Sequence, residues 1–385
     1  MNFKNLMFKN KINILSSIII LLLGLFFFNV DYQYSPDVLR NINFAQKFID
    51  YNFDFQILLN NLIKEQSLEF NIIFAIFIYS IGLLIDNLPL LFFIINLTTT
   101  ILLFHLIKKD FSIHNIPIFY FHIFCYLFLL NPDLRLWQSY LLTDYFFTIL
   151  IFVYFRFLIN QNFLIAFILL LFLLLVRPTS IFILPITFIF LFFNNTFKVR
   201  NKFQFNFLII ASCIAFIFIG LIFLNYNEIS FLGRKFSYYR NFNIDGIVVH
   251  KRWSVNYNID NIVNFFSFFL IKFLAFHQFL SSKFSVIHNI YNLFYYSPYL
   301  FITFLIFKKI YFKSNFQFNL YYLLSFYVFL IYSVCHSLLL IDYDWRYRMP
   351  LYIPLIVSIV YFLYEIKLYD FIKKILLLLD NKKII

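Results

Sequence analysis

Apolar runs long enough to cross a bilayer recur from one end of this chain to the other, and the polar stretches between them are short. Such runs can bury their backbone only as helices in lipid or in each other, because lipid offers no partner for an unpaired N–H or C=O. Of the 385 residues, 63% are hydrophobic and 13% charged, too little polar surface to cover a water-facing globule. The same composition excludes a disordered chain, a collagen and a disulfide scaffold. No polar run is long enough for a soluble domain hung on one anchor. The reading is a single all-α polytopic integral-membrane domain over residues 1–385.

The 62 Phe and 28 Tyr carry little functional information. Phe, Ile, Asn, Lys and Tyr share A- and T-rich codons, and lipid accepts any apolar side chain. Cys125, Cys213 and Cys335 lie far apart inside apolar runs, without metal-ligand spacing, and read as packing residues. The net charge of +13 fits anionic headgroups, phosphorylated substrates or the positive-inside rule, so its distribution matters more than its total.

Lys4, Lys9 and Lys11 precede the apolar run from Ile12 to Val30, with no small-residue cleavage site after it. This pattern predicts a start-transfer helix with a cytosolic N-terminus, followed by an outer loop over 31–69. Lys198, Arg200 and Lys202, then Lys308, Lys309 and Lys313, then the tail over 365–385, mark three cytosolic segments. Spans near 145–160, 162–176, 180–193, 206–224, 292–307, 319–340 and 349–364 alternate between them. Outside fall Asn131 to Asp144, a large segment over 225–291 with an interfacial helix near Phe265 to Leu280, and Asp342 to Arg348. Between Glu69 and Asn131 three apolar runs (70–85, 88–107, 116–131) must supply an even number of crossings. The first suspect for the incomplete one is 116–131, with Pro117 and His122, which puts Lys108 and Lys109 outside. The alternative keeps those lysines cytosolic and makes one of the two earlier runs partial. Either arrangement gives about ten spans with both termini cytosolic. No internal repeat of the kind that builds inverted-repeat transporters is evident.

All but Asp86, Glu365, Asp370 and Asp380 of the 18 acidic residues then lie on or near the outer face. Asp37, Asp144, Asp342 and Asp344 sit at the mouths of spans, where bundled helices can bring them into one cavity. There a carboxylate can act as general base or hold a divalent cation, the one cofactor the chain suggests, while guanidinium groups neutralise a phosphate leaving group. That chemistry suits sugar transfer from a lipid-phosphate donor at the outer surface.

The run YSPDVLRNINFAQKFID, just past the first span, resembles the first outer loop of the GT-C superfamily of integral-membrane glycosyltransferases. That group includes protein O-mannosyltransferases, aminoarabinose transferases and oligosaccharyltransferase catalytic subunits. Many members have an Asp, often followed by an acid, eight positions ahead of an Ala; here these are Asp37 and Ala45, with Val38 where the second acid would stand. NPDLRLWQSYLLTDYFFTILIFVYFRFLI looks like the second acidic motif, with Asp144 as its carboxylate. LLLLVRPTSIFILP and DYDWRYRMPLYIPLIV are similar to a later Pro turn and to an acid, Arg-Tyr and Pro helix start. The similarities run in order from residue 34 to 357.

The resemblance implies a GT-C-like fold and an inverting transferase with a polyprenyl-phosphate sugar donor. Its acceptor would be a glycan, lipid or protein, and its active site would face outward from the cytoplasmic membrane. It makes Asp37 the base or acceptor-orienting carboxylate and Asp144 a partner of donor or metal. Arg346, Arg348 and Arg177 become candidates for the donor phosphate, and Asp342, Asp344, His250, Arg252 and Trp253 for substrate contacts. The basic outer segment around His250 equally fits a solvated loop against anionic headgroups. Arg156 sits near the cytosolic end of its span and is expected to snorkel. The chain has no Gly-rich phosphate loop, nucleotide fingerprint or nucleophile motif, and nothing in it points to nucleic acid. The alternatives are a polymerase or ligase of lipid-linked glycans, dependent on the arginines of 225–291, and a transporter or flippase of lipid-linked sugars. A flippase would place charge near the bilayer midplane.

Overall fold

The computed structural model describes residues 3–57, 70–177, 180, 182–193, 285–311 and 348–369, with shorter pieces at 247–248, 256–257, 270, 273, 280 and within 321–334. The described chain is helical apart from a two-residue antiparallel pair, Ile247–Val248 with Asn256–Tyr257. In chain order the helices are α1 (Phe3–Phe28), α2 (Pro36–Asp50), α3 (Phe70–Leu84), α4 (Leu88–Ile113), α5 (Ile118–Leu129) and α6 (Pro132–Gln138). Then come α7 (Asp144–Ile159), α8 (Phe163–Val176), α9 (Ile183–Phe193), α10 (Val286–Tyr311) and α11 (Met349–Glu365). One described helix, α4, is long and apolar enough to cross a membrane by length and composition.

Helix α7 is the axis of the bundle. Nearly every residue from Asp144 to Leu158 is buried, and α7 packs against α4, α6, α8 and α11. A helix apolar all round must be enclosed on every side, and α11 is buried in the same way from Met349 to Phe362. At the periphery the pattern inverts. Helix α1 exposes Leu15, Leu21, Leu22 and Leu25 and buries Phe27, so its apolar surface faces away from the protein.

Cross-links fix the direction of each helix. Along α4 and its neighbours, Asn96 donates to the Gln138 carbonyl at 3.4 Å, Thr100 meets the Tyr145 hydroxyl at 2.6 Å, and Asp110 pairs with Arg156. Helix α4 therefore runs parallel to α7. It carries Lys108 and Lys109 to the end of the bundle opposite Asp144. Helix α5 returns, from Tyr120, whose hydroxyl accepts from Tyr369 N, to Leu127, whose carbonyl accepts from Tyr295. Helix α5 thus runs antiparallel to α4 along the bundle. Helix α3 packs on α2 and α8 and ends where Gly82 meets Leu88: a Cβ at Gly82 would lie 3.3 Å from the Leu88 Cα and would have to push the Leu88 Cδ1 aside. Asp86 lies beside Leu88, which shares a cluster with Phe92 and with Leu141 near Asp144. Asp110 lies at the opposite end of the bundle.

Helix α2 is amphipathic. Ser35 caps it, accepting from Val38 N at 3.3 Å, and Pro36 occupies its first turn, where no N–H is needed. Val38, Asn41, Phe44, Ala45 and Phe48 form its buried stripe. It ends in a Schellman turn. Phe53 N donates to Phe48 O and Asn52 N to Ile49 O, both at 2.9 Å, with Asn52 (φ 51°) and Phe53 (φ 62°) in the left-handed region. The Phe53 ring lies edge-on to Phe48 at 5.3 Å, the apolar contact that usually accompanies this cap.

Candidate functional site

At one end of the bundle the chain gathers the α1–α2 linker, α2, α6, the first turn of α7, the end of α8 and the starts of α10 and α11. This end carries the predicted carboxylates that the structure describes.

Asp144 opens α7 and is buried, 2% exposed, in an ion pair with Arg177. Arg177 is the extended C-cap of α8, a conformation imposed by the following Pro178. Its guanidinium also lies 5.9 Å from the Phe147 ring. Sequence reading assigned these two residues to different ligands, metal or donor for Asp144 and donor phosphate for Arg177. The structure joins them.

Arg348 is likewise paired. Its Nε donates to Asp133 Oδ2 at 2.8 Å, Nη2 lies 2.7 Å from the same oxygen in the ion pair, and both side chains are at most 5% exposed. The Tyr352 hydroxyl donates to the same oxygen, and the Tyr296 hydroxyl donates to that of Tyr352 at 3.2 Å. The guanidinium sits 5.7 Å from the Tyr296 ring, within cation–π range. Asp133 was not singled out in the sequence. Asn131 positions it by capping α6, accepting from Leu134 N at 2.9 Å. A paired Asn-Pro-Asp helix start was legible, but nothing in the chain links it to an arginine 215 residues away.

Asp37 is different. It is 39% exposed and forms an i,i+3 pair with Arg40 at 3.9 Å, a surface contact of little energetic weight. Its connection to the other carboxylates runs through Tyr79, whose phenol has Asp37, Arg40 and Asn41 around it and donates to the Leu141 carbonyl. Leu141 belongs to the loop that leads into Asp144. Asp37 and Asp144 thus share one end of the bundle, one solvent-accessible and one closed by its arginine. Val38, at the position where the resembling family often has a second acid, is fully buried beside Ala75 and Ile76. An acid there would be desolvated without a partner.

Near this site Tyr32, half-buried in the α1–α2 linker, has its phenol pushed up to about 12 by burial. Arg135 stacks on Phe26 at 3.5 Å, and burial lowers its pKa while Tyr291 opposes the shift. Asp342, Asp344, Arg346, His250, Arg252 and Trp253 lie outside the described residues. Among the described residues no group of three or more His, Cys, Asp or Glu is arranged to hold a metal ion.

At the opposite end, Arg156 departs from the expected snorkelling. It is 6% exposed and bidentate to Asp110, Nε to Oδ2 at 2.7 Å and Nη2 to Oδ1 at 2.6 Å, with the Tyr321 hydroxyl 3.5 Å from Oδ2. The desolvation of a guanidinium at this depth is offset only by a fork-to-fork carboxylate partner.

The chain matches no family model, no curated protein and no solved structure.

Proposed function

We propose that this protein is an integral-membrane glycosyltransferase that moves a sugar from a polyprenyl-phosphate donor to an acceptor hydroxyl at the extracytoplasmic face. The observation that carries the reading is the gathering, at one end of the helix bundle, of an accessible carboxylate (Asp37) with two buried carboxylate–arginine pairs (Asp144–Arg177 and Asp133–Arg348). The exposed leucines of α1 support a lipid environment.

In this mechanism Asp37 takes the proton of the acceptor hydroxyl. The acceptor oxygen attacks the anomeric carbon from the face opposite the phosphate. The bond from that carbon to the phosphate oxygen breaks, and the polyprenyl phosphate leaves with the electron pair, so configuration inverts. Arg177 and Arg348, with Arg346, supply the cationic field that stabilises the leaving phosphate. Each of the first two already holds a carboxylate, so the phosphate adds to a preorganised pair.

The test is transfer from radiolabelled polyprenyl-phosphate hexoses by the full chain in lipid nanodiscs. Asp37→Asn is expected to abolish transfer while inserting and melting like wild type; full activity in this variant removes Asp37 from the chemistry. The second reading is a flippase for lipid-linked sugars. Movement of the lipid across vesicles without sugar transfer would favour it.

A further inference from the structure

Close to Asp144, several buried polar atoms have no hydrogen-bond partner among the described residues: both amide atoms of the Gln138 side chain, Asn96 Oδ1, Trp137 Nε1 and the Tyr32 hydroxyl. Gln138 and Asn96 are 0% exposed. Native proteins keep such groups rare, and an amide with its donors and acceptor all unused marks a place built for something else.

These residues are neighbours. Asn96 Nδ2 reaches the Gln138 carbonyl at 3.4 Å. Gln33 N donates to the Ser139 carbonyl at 3.0 Å, which brings the linker carrying Tyr32 against the end of α6. Tyr32, Trp137 and Tyr140 pack on the same apolar cluster, with the Trp137 and Tyr140 rings 5.0 Å apart. One turn along α4 from Asn96, Thr100 bonds the hydroxyl of Tyr145, the residue after Asp144.

Carboxamides beside aromatic side chains suit a pyranose. Each sugar hydroxyl donates and accepts, as an amide does, and the C–H faces of the ring pack on aromatic planes. We propose that Gln138 and Asn96, flanked by Trp137 and Tyr32, form the subsite that recognises the hydroxyls of the sugar carried by the lipid donor. This deepens the transferase reading and rests on it.

The experiment compares binding of polyprenyl-phosphate hexose with that of bare polyprenyl phosphate to the full chain in nanodiscs, for wild type and Gln138→Leu. Wild type is expected to prefer the sugar-bearing lipid. Gln138→Leu should lose that preference by about tenfold, the factor expected when hydrogen bonds to one buried amide are removed, with its affinity for the bare lipid unchanged. Its melting temperature should hold or rise, because the substitution deletes a buried polar group that has no hydrogen-bond partner among the described residues. Gln138→Asn, which keeps an amide, should retain part of the preference. Unchanged discrimination in Gln138→Leu overturns the subsite, as does an amide that only holds ordered water. Wild-type binding that ignores the sugar also overturns it. If transfer is still observed in that case, the transferase reading survives alone; if transfer is blank as well, both fall.

Discussion

The Asp133–Arg348 pair makes a quantitative prediction about what holds this end of the bundle together. Arg348→Met removes the Nε donor to Asp133 Oδ2 at 2.8 Å together with the paired charge, and leaves a carboxylate only 3% exposed with the Tyr352 hydroxyl. Asp133→Leu takes away the carboxylate paired with the guanidinium, which still faces the Tyr296 ring. Breaking one partner of a buried pair costs about 3–5 kcal/mol, whereas replacing both by apolar groups of similar volume is often neutral or stabilising. In the double variant the Tyr352 hydroxyl keeps its contact with Tyr296 at 3.2 Å, so the residual penalty should stay within about 1–2 kcal/mol. Equilibrium unfolding in mixed micelles of wild type, the two single variants and the double should therefore give a coupling energy of several kcal/mol. Additive losses, with the double variant as unstable as the sum of the singles, would falsify the assignment of a buried, mutually dependent pair.

Other perturbations follow from the same geometry. Arg156→Met should destabilise by about 3–5 kcal/mol in the same assay, and Arg156→Lys by less, since an ammonium keeps the charge but not the bidentate fork. Val38→Glu should release α2 from α3 at a cost of about 3 kcal/mol or more, seen as faster tryptic cleavage after Arg40 and Lys47; unchanged cleavage would contradict the packing. His288, in the first turn of α10, has its imidazole held below the usual value by burial, with Asp133 opposing in part. The unfolded chain then binds the proton first as pH falls, so the contribution of His288 is complete above about 6.5 and is lost on acidification through the folded-state value. Melting between pH 7.5 and 5.5 should fall less in His288→Gln than in wild type; equal slopes would remove His288 from the titration.

Much of the architecture was legible because lipid-length apolar runs leave few alternatives. The starts and ends of α7, α8 and α11 lie within a residue or so of the sequence expectation, since Asp144, Asn162 and Arg348 interrupt the runs there. The directions of the helices between 70 and 131 were not legible. Three apolar runs of similar length carry no label of direction, and α4 is oriented by its contacts to α6 and α7 through Asn96, Thr100 and Asp110. The charged residues at this end were singled out one by one, without their partners. Asp144, Arg177 and Arg348 were each singled out, yet burial demands a counter-charge for each, and the identity of that partner depends on contacts between distant segments. Asp133 was passed over for the same reason, being an ordinary residue of a short polar stretch until α11 closes over it. The open amides of Gln138 and Asn96 have no sequence signal, because an unsatisfied group is a property of its surroundings.

The two charged residues of α7 have one more consequence. Asp144 and Arg156 are twelve residues apart, about 18 Å along the axis at 1.5 Å per residue, and both are buried with partners of opposite sign. A bilayer's hydrocarbon core is about 30 Å thick. In a membrane, the layer truly free of charge at the heart of this bundle would be little more than half as deep as the surrounding lipid. An applied voltage would fall most steeply across that thin layer, so the two ion pairs would mark the boundaries of a focused electric field inside the protein.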